Sequence, residues 1–420
     1  MRAAWMLAVL AGTAPAQDGA LLIRNATIHP VTSPPVENAS LLVRDGMIAE
    51  IGAKIAAPKG TAVVEGRGLH VYPGMIDSGT TLGMAEIGSV RETSDVRELG
   101  EFNPQLRSLI AVNPSSEHIP VARANGITMA VTLPGGGIIA GQAGLVQLDG
   151  WTWEEMAVRP AVATRVLFPV LSTVTAGEFF ERRRTIPYEE ARRKHEADLQ
   201  KLRLFVEDAR RYQREKEAGA TRVDLKFEAM LPVLEGKRPL MITAVRERAI
   251  REALEFTRRE KLRMILAEPR EMSQPLLKEV KERSIPVILG PVHSLPLDED
   301  SPYDSQYTFP AELLRAGILF AFASFESDSV RNLPYQAAAA VAYGLPHEEA
   351  LKAVTINAAR IWGVDDQTGS IETGKRADLI LTDGDPLETR TQVKLMLLRG
   401  RRVSLESKHT RLYEKYMARP

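Results

Sequence analysis

Cysteine is absent from all 420 residues. That excludes a disulfide frame, a lipid-modified cysteine, a thiolate metal site and a thiol nucleophile. A surplus of charge is absent as well. Lys+Arg and Asp+Glu both number 54, and a chain without net charge has no field to draw nucleic acid or an anionic membrane. Beyond the first residues, no apolar run approaches the roughly 20 residues that span a bilayer. Histidine is scarce, at seven, so a site built on several imidazoles has few to draw on. No serine sits in a Gly-x-Ser-x-Gly elbow. The glycine-rich stretch 133–142 lacks the Lys and Ser/Thr of a phosphate loop. It reads as a flexible βα loop whose amides can at most cradle an anion. Trp151-Thr152-Trp153 reads as core or pocket wall, not as a stacking platform.

The first residues are informative. Arg2 is a charged start, residues 3–14 are apolar, and Ala14-Pro15-Ala16 is a small-x-small cleavage site before Gln17. Residues 1–16 therefore read as a secretory signal, and the mature chain is expected outside the cytoplasm, periplasmic or extracellular, with no membrane span after cleavage. The length is too great for one ordinary core unless the fold is a barrel with an appendage.

Two textures divide the chain. Residues 20–72 are short β segments, and Asp45-Gly46 between apolar runs marks a hairpin turn. Residues 366–405 repeat that texture, so both chain ends are expected to build one β-sandwich domain. Between them, 73–365 alternates apolar strands with helical stretches, the pattern of parallel βαβ units. Candidate strands are 74–77, 128–133, 166–170, 240–244, 264–267, 286–289 and 319–323. The expected fold is α/β, a (β/α)₈ TIM barrel, which takes about 250 residues. A charged helical stretch near 181–217 breaks the rhythm. It reads as an insertion, either a lid or a solvated surface helix or dimer arm.

Pro73-Gly74-Met75-Ile76-Asp77-Ser78-Gly79-Thr80-Thr81 resembles the first barrel strand of the amidohydrolase superfamily. In that family it reads Pro-Gly-apolar-Ile-Asp-x-His-x-His, and the two histidines bind a catalytic metal. The resemblance extends to Val43-Arg44-Asp45-Gly46, to Val354-Thr355-Ile356-Asn357-Ala358-Ala359-Arg360 and to Gly374-Lys375-Arg376-Ala377-Asp378. It is similar to the imidazolonepropionase-like and dipeptidase-like branches. It implies the barrel, a Zn²⁺ ion and cleavage of carbon–nitrogen bonds. Asp378 is expected to hold backbone amides at its strand start.

The implied ligands are missing. Gly79 and Thr81 stand where the two histidines belong. The strand-5 position falls near 241–244, without histidine, and the strand-6 position falls at Glu268. The strand-8 aspartate falls at Glu326 or Asp328. Glu268, Glu326 and Asp328 are the candidate catalytic carboxylates. Thr81, Glu86, His293, Gln142 and Arg331 are candidate pocket residues. The residues offer no usual zinc site, so no cofactor is expected. An all-oxygen centre would instead favour Mg²⁺, Ca²⁺ or Mn²⁺. Glu268 and Glu326 are otherwise expected to pair with Arg246, Arg270 or Arg331 where the metal would be. Two functions follow. One is a non-catalytic homologue that binds a small ligand or pairs, as a homo- or hetero-oligomer, with an active amidohydrolase. The other is a hydrolase with a rearranged metal site.

Overall fold

The structure is a computed structural model that describes residues 19–175, 184–220 and 222–419. The expected signal, residues 1–16, lies outside the described residues, as does part of the 181–217 stretch. In chain order the strands begin with β1 (Leu21–Ile28), β2 (Val36–Arg44), β3 (Met47–Gly52), β4 (Ala62–Glu65) and β5 (His70–Pro73). The next are β6 (Met75–Thr80), β7 (Ile127–Thr132), β8 (Ile139–Gln147) and β9 (Ala157–Leu167), then the small hairpin β10 (Val174–Thr175) and β11 (Arg184–Thr185). β12 (Leu240–Thr243), β13 (Met264–Ala267), β14 (Val287–Leu289) and β15 (Phe320–Phe322) follow. β16 (Leu379–Thr382), β17 (Val393–Leu398) and β18 (Arg401–Val403) come last. The helices that matter below are α1 (His118–Ala124), α2 (Trp153–Met156), α3 (Tyr188–Glu217), α4 (Leu225–Leu234), α5 (Glu247–Arg259), α6 (Gln274–Glu282) and α7 (Ser305–Arg315). α8 (Leu333–Ala342), α9 (His347–Ala353), α10 (Ile356–Trp362) and α11 (Lys408–Met417) complete them.

Strands from both chain ends share one sheet, in the order β18-β17-β16-β5-β1-β2-β3, with β4 also on β1. The ends join where Pro73 of β5 pairs with Leu379 of β16. Period-two alternation sorts the side chains. Leu379, Leu381 and Leu397 enter the sheet's own core with Leu21, Ile23, Leu41 and Val43. Tyr72, Ile380, Met396 and Leu398 face the other way, into the large core shared with the barrel. The β2–β3 turn uses Asp45 and Gly46, with φ of 51° and 77°, the left-handed pair of a tight hairpin.

The second sheet runs β15-β14-β13-β12-β9-β8-β7-β6. Its ends meet through Asp77 and Ser324 and through the Phe325 amide, which donates to the Gly79 carbonyl at 2.8 Å. The barrel is as expected, with one difference. β8 runs antiparallel to β7 and to β9. The glycine-rich stretch is therefore not a βα loop, since from Ile139 it is a wholly buried strand. Its glycines serve close packing. A Cβ on Gly144 would lie 2.4 Å from Leu109 Cγ.

α3 belongs to the helical layer. Ala191, His195, Leu202, Val206, Ala209 and Tyr212 are its buried stripe, at helical spacing. Phe205 stacks on Phe102 at 4.6 Å, and His195 Nε2 lies 2.9 Å from Glu252 of α5. Charge dominates its outer face only, so composition concealed a packed helix. α10 closes the far end of the barrel, where Ala358, Ala359 and Trp362 join the interior cluster. Among the described residues, no helix is long and apolar enough to cross a membrane.

Candidate functional site at the barrel mouth

Strand direction places the C-terminal ends of β6, β9, β12, β13, β14 and β15 around one opening, the face on which barrels of this kind do their chemistry. β6 delivers Asp77, fully buried. Its Oδ1 accepts from the Gly79 amide at 3.0 Å and the Ser324 amide at 3.1 Å. Its Oδ2 has no partner. Burial pushes the carboxyl up to about 7 against the pull of those hydrogen bonds.

Gly79 has no room for more. A Cβ there would lie 2.8 Å from Leu133 Cδ1 and 3.6 Å from Ala323 Cβ. The space of a histidine is occupied by apolar side chains. Thr81 is half-buried, and its carbonyl accepts from the Met84 and Ala85 amides.

β9 delivers Arg165. Its guanidinium donates to the Pro134 carbonyl at 3.0 Å and lies 3.7 Å from Glu268 Oε2. It also sits 6.0 Å from the ring centre of Phe325. Glu268 follows β13 directly, in the left-handed region with φ of 58°, uncommon for a residue with a side chain. Thr243 at the end of β12 donates to its Oε2 at 3.2 Å. Burial raises the Glu268 carboxyl, while Arg165 and Thr243 oppose that rise.

The cationic partner expected for Glu268 is present, but it is Arg165. Arg246 instead holds Asp298 through two bonds of 2.7 and 2.8 Å. Arg270 donates to Gln306 at 3.0 Å and Ser294 at 2.9 Å. Arg331 meets His409 at 3.3 Å. A lone arginine in the apolar run Ala161-Val162-Ala163-Thr164-Arg165-Val166-Leu167 was the available signal, since buried Arg is nearly always paired.

At the end of β15 the side chain packed on the interior cluster is Phe325. Glu326 and Asp328 are exposed and both accept from Ser329, at 3.1 and 3.3 Å. His293 is exposed, its ring 6.1 Å from that of Tyr307. Gln142 lies within β8 and donates to the Pro104 carbonyl at 2.9 Å. The Glu86 carbonyl meets His118 Nε2 at 2.8 Å, while its Oε1 is buried without a partner. Glu268 is thus the predicted carboxylate that the fold pairs with a cation at the mouth. Beside it opens a cavity of about 210 Å³ lined by Glu268, Arg270, Gly290, Ser294 and Gln306.

Three of the seven histidines gather elsewhere, between β1, β5 and α9. His29 and His70 share a 3.0 Å hydrogen bond, His29 stacks on Tyr72, and His347 meets Asp385 at 2.5 Å. Burial, reinforced by His70, pushes His29 down to about 4.

Among the described residues, no three His, Asp or Glu side chains converge to hold a metal ion. The mouth does not fit the zinc centre that the resemblance implies. Leu133 fills one ligand's space, and Arg165 sets a positive charge beside Glu268.

Comparison with known proteins fits the fold. A model of the amidohydrolase family matches residues 272–403. An imidazolonepropionase of Picrophilus torridus is 36% identical over 112 residues, 26% of this chain and 27% of that relative. The match thus spans about a quarter of the curated relative's length. Among solved structures, an amidohydrolase from Thermotoga maritima superposes with a TM-score of 0.79 at 26% identity, covering 91% of this chain and 99% of the other. A putative prolidase from Bifidobacterium longum has a TM-score of 0.57 at 16% identity over 96% of this chain and all of the other, a likeness of fold. The family model agrees with the residues around the last helix, the Thermotoga structure spans the barrel and the composite sheet, and together with the imidazolonepropionase match they support the amidohydrolase superfamily for this chain.

Proposed function

We propose that this chain is an exported, non-catalytic amidohydrolase homologue that binds a small ligand at the barrel mouth. One observation carries the reading. Glu268, at the strand-6 position where the resemblance puts a metal ligand, is paired with Arg165 beside the ring of Phe325. The Arg165 guanidinium beside Glu268 disfavours a divalent cation there, and without one the mouth would have no Lewis acid to activate water. The cavity beside Glu268 supplies space and polar groups for a ligand instead.

Elemental analysis after growth with added Zn²⁺ tests this. Metal well below one equivalent per chain is expected. One or two tightly held ions per chain would overturn the reading and favour a hydrolase with a rearranged centre. The export component has its own test. N-terminal sequencing of the secreted protein is expected to begin at Gln17, and recovery of the full-length chain from the cytoplasm alone would refute it.

A further inference from the structure

A groove of about 540 Å³ lies at the opposite end of the barrel from the mouth. β7 begins and β8 ends there, with Met129 paired to Gln147. The walls are α1, the turn 148–151 after β8, and the segment that leads into α11. Its volume is within the 300–1,000 Å³ usual for small-molecule sites.

Trp151 stands on the rim, 91% exposed. The sequence reading placed it in core or pocket wall, and its neighbour Trp153 does pack against the core. Trp151 does not. Its backbone is fixed, because its amide donates to Glu155 Oε2 at 2.8 Å and Thr152 caps α2. A ring held out in water at the lip of a groove buries little area on folding. Its flat face is open to a partner in the groove.

The rest of the lining narrows that partner. Arg123, Arg401 and Arg411 line the groove together with Glu117, Asp149, Glu406 and Glu155, the last already accepting from the Trp151 amide. They are already matched: Arg123 lies 3.3 Å from Asp149, Arg401 3.8 Å from Asp149, and Arg411 3.2 Å from Glu117 and 3.6 Å from Glu406. Three arginines against four carboxylates leave a surplus of one negative charge, which turns anions away and gives a cation little field. The array still presents fixed donors and acceptors, because each guanidinium has five N–H groups and each carboxylate about four lone-pair sites. A neutral ligand rich in hydroxyls, with one apolar face for the indole, satisfies both features.

We infer that this groove binds a neutral saccharide, one sugar ring stacked on Trp151 and its hydroxyls bonded to the arginine–carboxylate array. The site is independent of the barrel mouth and of the reading proposed for it.

The test uses the full mature chain and a panel of neutral disaccharides, cellobiose, maltose and N,N′-diacetylchitobiose, followed by tryptophan fluorescence and by ligand-observed NMR. Saturable binding by at least one is expected at concentrations up to about 10 mM, the weak end of the affinity scale. Trp151→Ala is expected to weaken it about tenfold or more, as loss of an aromatic anchor does, with an unchanged melting temperature because the side chain is exposed. Arg123→Met is the second variant and should weaken the same ligand. Absence of saturable binding across the panel would overturn the inference. So would binding that Trp151→Ala leaves intact, or selective binding of charged peptides in place of sugars.

Discussion

Replacing Asp378 by alanine is expected to cost about 3–5 kcal/mol, the scale of breaking a buried ion pair by removing one partner. The side chain is completely buried. Its Oδ1 accepts from Gln147 Nε2 at 2.5 Å and from the Arg399 amide at 2.9 Å. Its Oδ2 accepts from Thr368 at 3.3 Å and faces Arg376 Nε at 3.3 Å. Gln147 ends β8 of the barrel, whereas Arg376 and Arg399 flank strands of the composite sheet. Its own carbonyl accepts from Gly74, one residue before β6, at 2.9 Å. One carboxylate therefore bolts the two sheets together. Alanine leaves a guanidinium and two amide groups buried without partners. Against a total stability of about 5–15 kcal/mol, that loss removes a large share. Urea unfolding followed by circular dichroism measures it. Asp378→Asn keeps the Oδ1 acceptor and should lose less. Equal stability of the alanine variant and the parent would show that the bolt carries no energy.

The expectation for Asp378 came from the sequence, and the structure extends it from a strand start to a junction. Much of the fold was legible in the same way. The Asp45-Gly46 hairpin, seven of the eight barrel strands and the joining of the chain ends all follow from period, turn chemistry and motif. β8 was not legible, because Gly141 and Gly144 serve close packing there and read locally as loop. α3 was half legible: its length showed, but its buried stripe was diluted by charges on the outer face. The mouth was legible as a deficit. Gly79 announced a missing ligand, yet nothing local said that Leu133 fills the space. Pairing across the barrel brings Arg165 to Glu268 over 103 positions, a distance no short-range pattern encodes. Glu326 and Asp328 lie in the turn after β15, exposed, while Ala323 and Phe325 of that turn pack on the interior cluster.

Asp77→Asn is expected to stabilise the protein at pH 8 and to change little near pH 4. The carboxyl sits near 7 in the folded chain, because burial outweighs the hydrogen bonds from Gly79 and Ser324. Unfolded, it returns to its ordinary 3.8. Between those values the folded state holds a proton that the unfolded state has released, so stability falls as pH rises. Each unit is worth about 1.4 kcal/mol, which makes the full penalty about 4 kcal/mol above pH 7. Asparagine cannot ionise, and its Oδ1 still accepts both amides across the seam between β6 and β15. Its Nδ2 replaces an Oδ2 that had no partner, so no bond is lost. Asp77→Ala separates the two roles of the side chain. It removes the charge but orphans two buried N–H groups, at about 1–3 kcal/mol each, and should be less stable than Asp77→Asn at every pH. Chemical denaturation of the three proteins at pH 5 and pH 8 decides the matter. A parent protein whose stability does not decline between those values would mean that Asp77 is ionised in the fold, and the seam would then owe its closure to a charged carboxylate and not to a neutral one.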